Sequence, residues 1–441
     1  MKNHKLLTAI LTLILLISTF TGCENGTAEQ TQPETQSETT EAAAVTEPET
    51  EAIPQTLKLN GVDISGYIVN YNKKESTGAP KAFAYLNERL SELYGVTLNN
   101  STAYKDRPEI LISLDADDSA IAEAYKNSPD GMIGVSGKRI FLMATNYSTL
   151  CRVIDELLSK AEGAGADKTI SLTANESVYV KKDTLTVLTY NVQADLTKAG
   201  RANTCLDDMA ASIRAEDPDV FGTQENTAEI NTGLMSRLKG YNYFAGTVYN
   251  ETTKKGNYVY WKTDKFKLID HGHRYMSDTP TVKSKYEGSN EYRGFTFLYL
   301  ESKETGNRFL FINLHADYKS NDSVRLLQLK AVTAFIKQKY DENTAVIVLG
   351  DFNATPTSDS ITSFETDNPR MGSTLKVAKA VGDSGSTLAV TEFTTRSTYI
   401  FDHIFVTTDR FVTEYYSAID NIVNGRYPSD HLPVVARLTL Y

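Results

Sequence analysis

Apolar positions fall along this chain in three regimes, and each predicts a different kind of structure. The first is a single block from Leu6 to Phe20, with Lys2 and Lys5 before it and Phe20-Thr21-Gly22-Cys23 at its end. A basic start, an apolar run and a small residue ahead of a cysteine follow the order of an export signal. About 15 apolar residues fall short of the roughly 20 needed to span a bilayer, so a cleaved signal over residues 1–22 is preferred to a transmembrane helix. The second regime, residues 24–55, has no aromatic residue and eight Glu with no Lys or Arg. It cannot bury enough apolar area to offset its ordering entropy and its charges repel, so residues 23–55 are expected to form an extended acidic tether.

From Thr56 the apolar positions become periodic. A strand pair is expected at Thr56–Leu59 and Ser65–Val69, then a helix from Ala79 to about Tyr94 with Ala82, Phe83, Leu86, Leu90 and Leu93 at helical spacing. A short strand at Glu109–Leu114, a helix at Ala120–Tyr125, a hairpin over Gly131–Ala144 turning at Ser136-Gly137, a helix at Tyr147–Ala161 and a strand at Lys168–Thr173 complete a small α/β domain over residues 56–180. No catalytic constellation is visible in it. Residues 181–441 read as a larger α/β unit, with apolar strands at Thr184–Tyr190, Phe309–Leu314, Ala345–Leu349, Ile404–Val406 and Val434–Leu440 and helices at Thr204–Ala215 and Ser323–Tyr340.

Composition narrows the function. The 441 residues carry 45 Lys+Arg against 56 Asp+Glu, and within residues 181–441 the balance is 30 against 32. Without a basic field, a protein that coats nucleic acid or an anionic membrane is disfavoured, though nucleic acid stays open as a substrate. Three cysteines exclude a disulfide scaffold or a Cys-rich zinc module, and Cys151 and Cys205 are expected to be buried small hydrophobes.

The candidate chemistry sits where apolar strands end and a side chain can leave the core. Asn191 follows LTVLTY, Glu225 closes PDVFGTQE, and His315 ends FLFINLH. Asp351 and Asn353 end AVIVLGDFN, Asp402 lies in YIFDHI, and Asp430 and His431 lie in YPSDHLP. Each alone is an ordinary turn or surface residue. Together they are carboxylates, amides and histidines without thiolates, a set suited to Mg²⁺, Mn²⁺ or Ca²⁺. Ser429 precedes Asp430 without a Gly-x-Ser-x-Gly elbow, which argues against a serine hydrolase.

In this order the motifs TYN, PDVFGTQE, NLH, GDFNATP, FDHIF and SDHLPV resemble the endonuclease/exonuclease/phosphatase family of metal-dependent phosphohydrolases, and the resemblance covers residues 183–441. It implies a four-layer αββα sandwich, two packed β-sheets flanked by helices, preceded here by the small α/β domain. It also implies that Asn191 and Glu225 are metal-site residues for Mg²⁺ or Mn²⁺, with Asp430 supporting the ion directly or through water. By the same likeness Asp351 activates or orients the attacking water, Asn353 orients nucleophile and phosphate, His431 is the catalytic histidine paired with Asp402, and His315 contacts the scissile phosphate. The N-terminus resembles a bacterial lipoprotein signal, which implies lipidation of Cys23, export and attachment to a membrane. Residues 56–180 faintly resemble small α/β domains appended to secreted carbohydrate-active enzymes, which allows a glycan or protein ligand, while a spacer or docking domain is the preferred reading.

Within the family, the Asn-Tyr-Arg and Cys-Asp-Arg stretches of inositol polyphosphate 5-phosphatases are replaced here by GDFNATP and IFDHIF, so that branch is disfavoured. Arg293, just before FTFLYL, is placed either to grip phosphate bidentately or as a surface arginine. Arg325 and Gln328 are read as structural support on a helix. With Arg293 as the one basic group noted beside the motifs, a singly charged phosphodiester is the expected substrate, its second arm lying along the aromatic stretch Tyr241–Trp261, unless those rings are core. The alternative is a non-catalytic surface lipoprotein that binds through residues 56–180.

Overall fold

The strand Arg308–His315 shows why the larger part folds as it does: every residue after Arg308 is buried, so the run reads as almost unbroken apolar sequence. A strand covered on both faces needs layers on both sides. The computed structural model describes residues 56–71, 78–101, 107–114, 125, 130–196, 205–248, 252–319, 321–340 and 344–441. The signal, Cys23, the tether and the expected helix at 120–125, Tyr125 apart, lie outside the described residues.

Two sheets form the middle of the larger part. One runs in the order Tyr241–Val248, Gly256–Lys262, Val220–Asn226, Asp183–Asn191, Val434–Leu440, Phe411–Ala418 and Ala380–Val381. The other runs Phe266–Tyr275, Gly294–Ser302, Arg308–His315, Ala345–Asp351, Asp402–Thr407 and Met371–Ser373. Leu185, Val187 and Val259 of the first sheet close on Leu298, Phe309, Ile347 and Ile404 of the second. On its outer face the first sheet packs Leu188 and Phe221 against Met209, Ile213 and Ile230 of the helices Cys205–Glu216 and Ala228–Arg237. On the outer face of the second, Ile312 and Phe295 pack against Leu329, Val332 and Phe364 of the helices Asp322–Lys339 and Asp359–Asp367. Helix, sheet, sheet and helix make the four-layer sandwich that the resemblance implies.

The register of the second sheet places the chemistry. Gly294 pairs with His315, His315 with Asp351, and Asp351 with Asp402, so three polar residues stand in one row across three strands. Gly350 holds a φ of +144°, and a Cβ there would lie 2.0 Å from the Leu314 carbonyl oxygen, so only glycine fits just before Asp351.

The N-terminal part has its own core. A sheet ordered Asn99–Asn100, Ile68–Tyr71, Glu109–Ser113, Arg139–Ala144, Gly131–Ser136 and Glu176–Val178 packs with the helices Gly78–Tyr94 and Tyr147–Ser159 through Leu86, Leu90, Ile112, Leu142, Ile154 and Leu157. Strands form at Thr56–Leu59 and Ile68–Tyr71 but do not pair with each other, and Thr56–Leu59 takes Val62–Asp63 as one antiparallel neighbour. Asp63 accepts from the Ser65 N–H and caps a short 3₁₀ turn, Ile64–Gly66, which turns the chain before the next strand. Thr56–Leu59 also pairs with Asp167–Ile170, in a separate sheet. Cys151 and Cys205 are buried free thiols. The described residues from Thr56 to Tyr441 fall within one compact unit.

Candidate active site

Three of the segments that carry the predicted residues turn at a residue in the left-handed region. Gln193, Glu225 and Asn353 have φ values of 50°, 56° and 49°. Asn tolerates this conformation locally; for Glu and Gln it is strain held by the surrounding sheet ends. At Glu225 the cause is a bulge: the pairing of Val220–Asn226 with Gly256–Lys262 shifts between Thr223 and Asn226. A bulge re-aims the side chain it carries.

Asp351 is the hub. Its Oδ2 accepts a hydrogen bond from Asn191 Nδ2 at 3.0 Å, and the Nε2 atoms of His315 and His431 stand 3.3 and 3.6 Å from it. Its Oδ1 accepts from the Asn353 N–H at 2.9 Å. Burial pushes Asp351 up to about 6, opposed by the positive charge of His431 and assisted by Asp402. A carboxylate with affinity for a proton near neutrality is what a general base needs.

The Nδ1 atom of His431 donates to Asp402 Oδ2 at 2.8 Å. Burial works against charge on this ring, but the carboxylates of Asp402 and then Asp351 outweigh it and hold His431 well above the ordinary histidine range. His315 goes the opposite way. Burial holds it well below that range, with the charges of Arg293, Lys255 and His431 adding to the effect. One imidazolium and one neutral imidazole therefore flank one carboxylate.

The proposed metal residues lie around the segment that follows Asn191. Asn191 Oδ1 accepts from the Gln193 N–H at 3.0 Å, and Gln193 Nε2 donates to Asp430 Oδ2 at 2.9 Å. The Ala194 N–H reaches Glu225 Oε2 at 3.5 Å. Two carboxylates and a carboxamide oxygen suit a hard divalent ion. The electrostatics agree, since a cation already stands there: Lys255 Nζ is 3.3 Å from Glu225 Oε2. A second trio, Asp351, Asp402 and His431, has ligand atoms within 4.8 Å of one another. His431 binds an ion only with its ring deprotonated, and the carboxylates of Asp402 and Asp351 favour the charged ring.

Arg293 is not a surface arginine. Its side chain is 1% exposed, Nη2 lies 3.3 Å from Glu291 Oε2, and the guanidinium stands 5.8 Å from the Tyr318 ring centroid. It precedes Gly294, the partner of His315, so it borders the site. Asn353 Nδ2 donates to the Ala316 carbonyl at 3.0 Å. Gln328 is buried and accepts from the Asp317 N–H at 2.9 Å, while Arg325 pairs with Asp322, so both act as support.

Four contributing residues had no role in the sequence reading: Gln193, Lys255, Gln224 and Asn313. Gln224 Nε2 donates to Thr189 Oγ1 and Asn313 Oδ1 at 2.9 and 2.7 Å, and Asn313 Nδ2 donates to the carbonyls of Thr223 and Tyr258, joining the two sheets beneath the site. Gly222 leaves the room, since a Cβ there would come within 2.6 Å of the Asn313 side chain. Among the described residues the aromatic stretch is largely core: Tyr258, Tyr260 and Trp261 are buried, with Tyr260 stacked on Phe221 at 4.3 Å, while Tyr243 is exposed.

Residues 188–431, more than half of the chain, match the Endonuclease/Exonuclease/phosphatase family model, and the chain belongs to that family. Among solved structures it is similar to a family member from Bacteroides thetaiotaomicron at 26% identity, TM-score 0.54, covering 59% of this chain and 96% of that one. A mannosyl-6-phosphatase from the same organism is 26% identical, TM-score 0.52, covering 58% and 99%. A family structure from Bacteroides vulgatus, at 22% identity and TM-score 0.54, shares the fold over 59% of this chain and 100% of that one. No match was found among curated proteins.

Proposed function

We propose that this protein is an exported, lipid-anchored, metal-dependent phosphohydrolase that cleaves its ester by in-line attack of water. The observation that carries the hydrolytic reading is the Asp351 hub: a buried carboxylate at about 6, with Asn191, Asn353, His315 and His431 all pointing nitrogen atoms at it. Asp351 takes the water proton as the water oxygen bonds to phosphorus and the bond to the ester oxygen opposite it breaks, that oxygen leaving as the alcohol with a proton taken from water. His431, kept charged and oriented by Asp402, faces the non-bridging oxygens and offsets the charge that grows there. His315, neutral, offers a hydrogen bond without adding repulsion to the charged ring. Glu225, with Asn191 and Asp430, would hold Mg²⁺ or Mn²⁺, which when bound neutralises phosphate charge and assists the leaving oxygen.

For the substrate, a phosphodiester remains the first reading, on changed grounds. Since the Tyr241–Trp261 rings are mostly core, the arm of a diester would lie on Tyr318, half exposed three residues after His315, or on Tyr399, which stacks on Phe401 at 5.3 Å just before Asp402. A phosphomonoester is the second reading. It is favoured by Lys255, which adds positive charge the sequence reading had not counted, and by the similarity to a mannosyl-6-phosphatase. The test is kcat/KM for a bis-aryl against a mono-aryl phosphate at fixed Mn²⁺, with and without excess chelator. Turnover that needs metal is expected, with the diester ahead; full turnover in chelator would overturn the metal reading, and a clear monoester preference would replace the first substrate reading by the second.

A further inference from the structure

Lys255 immediately precedes the strand Gly256–Lys262, and the Asn226–Gly256 pairing sets it opposite the bulge that carries Glu225. The side chains of Lys255 and Glu225 are only 15% and 16% exposed, and their charges meet at 3.3 Å. The ammonium also lies within electrostatic reach of His315, since its charge is one of those that lower that ring's pKa. Lys255 thus pairs with the carboxylate read as the metal anchor and acts electrostatically on the histidine read as the phosphate contact.

We infer that Lys255 is an internal counter-cation that couples metal entry to anion binding. A divalent ion sits about 2.0–2.2 Å from a carboxylate oxygen, and an ammonium held against the same oxygen in a poorly hydrated cleft repels it. Metal entry therefore drives the ammonium away from Glu225. The negative charge it can meet next is that of a phosphoester arriving between His315 and His431. With the metal absent, the lysine stays on Glu225 and contributes little to holding phosphate; with the metal present, it does so. Coupling of this kind is reciprocal, so phosphate should strengthen metal binding by the same factor as metal strengthens phosphate binding. The inference rests on Glu225 as a ligand of a divalent ion, as proposed above.

The test is calorimetric binding of Mn²⁺ to the full chain, without substrate, with and without inorganic phosphate. Lys255→Met is expected to bind Mn²⁺ at least about tenfold tighter than the parent in the absence of phosphate. Phosphate should tighten Mn²⁺ binding in the parent at least about fivefold, and this gain should shrink in Lys255→Met. Lys255→Arg, which keeps the charge, should behave like the parent, and far-ultraviolet circular dichroism checks that all three are folded. Equal or weaker Mn²⁺ binding in Lys255→Met, or tighter binding in Lys255→Arg, would overturn the inference and leave the metal reading standing. No Mn²⁺ binding by parent or variants would overturn the metal reading and this inference with it.

Discussion

At the scale of single residues, Asp351 and His431 act in one step. Replacing Asp351 by Asn keeps the shape and removes the base; replacing His431 by Ala removes the charge facing phosphate. Each should lower kcat by at least about 10²-fold with little loss of stability, and the double variant should lose less than the product of the two. Parent-like kcat in either single variant would remove that residue from the mechanism. His315 gives a pH signature. Its folded-state pKa lies well below the ordinary value, so below about pH 6.5 the unfolded chain binds a proton that the folded chain refuses. Its contribution to stability is therefore present above that pH and lost as pH falls, by up to about 1.4 kcal/mol per pH unit. Urea unfolding at pH 5 and pH 6 should show a smaller acid loss in His315→Gln than in the parent, and an equal loss in both would contradict a neutral His315.

At the scale of elements, the strand ends were legible because a short apolar run that stops at Asn, His or Asp is visible without any structure, whereas the four layers were implied only by the family resemblance. What stayed hidden were partners fixed by cross-strand register. Lys255, beside Lys254 and ahead of Gly256, has the look of a solvated turn residue until the bulge places it against Glu225. Gln224 and Asn313 were quoted inside motifs, yet an amide in a strand gives no sign of whether it faces water or the opposite sheet. The strands expected at residues 56–69 form without pairing with each other, because the local turn at Asp63 and Ser65 carries the chain into a different sheet before Ile68. The inter-sheet amides should carry measurable stability. Asn313→Leu leaves the carbonyls of Thr223 and Tyr258 and the Gln224 amide short of a buried partner, at a cost of at least about 2 kcal/mol. Urea denaturation checks this, and an unchanged midpoint and slope would contradict the network.

At the scale of the whole molecule, residues 56–180 are fastened to the larger part by polar contacts. Arg410 donates to the Tyr85 hydroxyl at 3.0 Å and to Asp155 at 3.1 Å, and Ser148 donates to the Thr408 carbonyl at 2.7 Å. Arg410 is almost fully buried while Asp155 is partly exposed, so Arg410→Ala should cost about 3 kcal/mol, the low end for breaking a buried pair, with kcat unchanged. Stability within 0.5 kcal/mol, about the scatter of surface substitutions, would mean that the seam is incidental. The proposed anchor has its own test: Cys23→Ala should release the protein from the membrane fraction or block its processing, and unchanged fractionation and processing would rule the anchor out.

The central claim is that the Asp351 hub hydrolyses a phosphoester. The most direct measurement is the initial rate of aryl phosphoester hydrolysis by the full chain at saturating Mn²⁺, parent against Asp351→Asn. Turnover by the parent and a loss of at least about 10²-fold in a variant that unfolds at the parent's urea midpoint are predicted. No turnover of mono- or bis-aryl phosphate by the folded parent, or equal rates in parent and variant, would contradict the account.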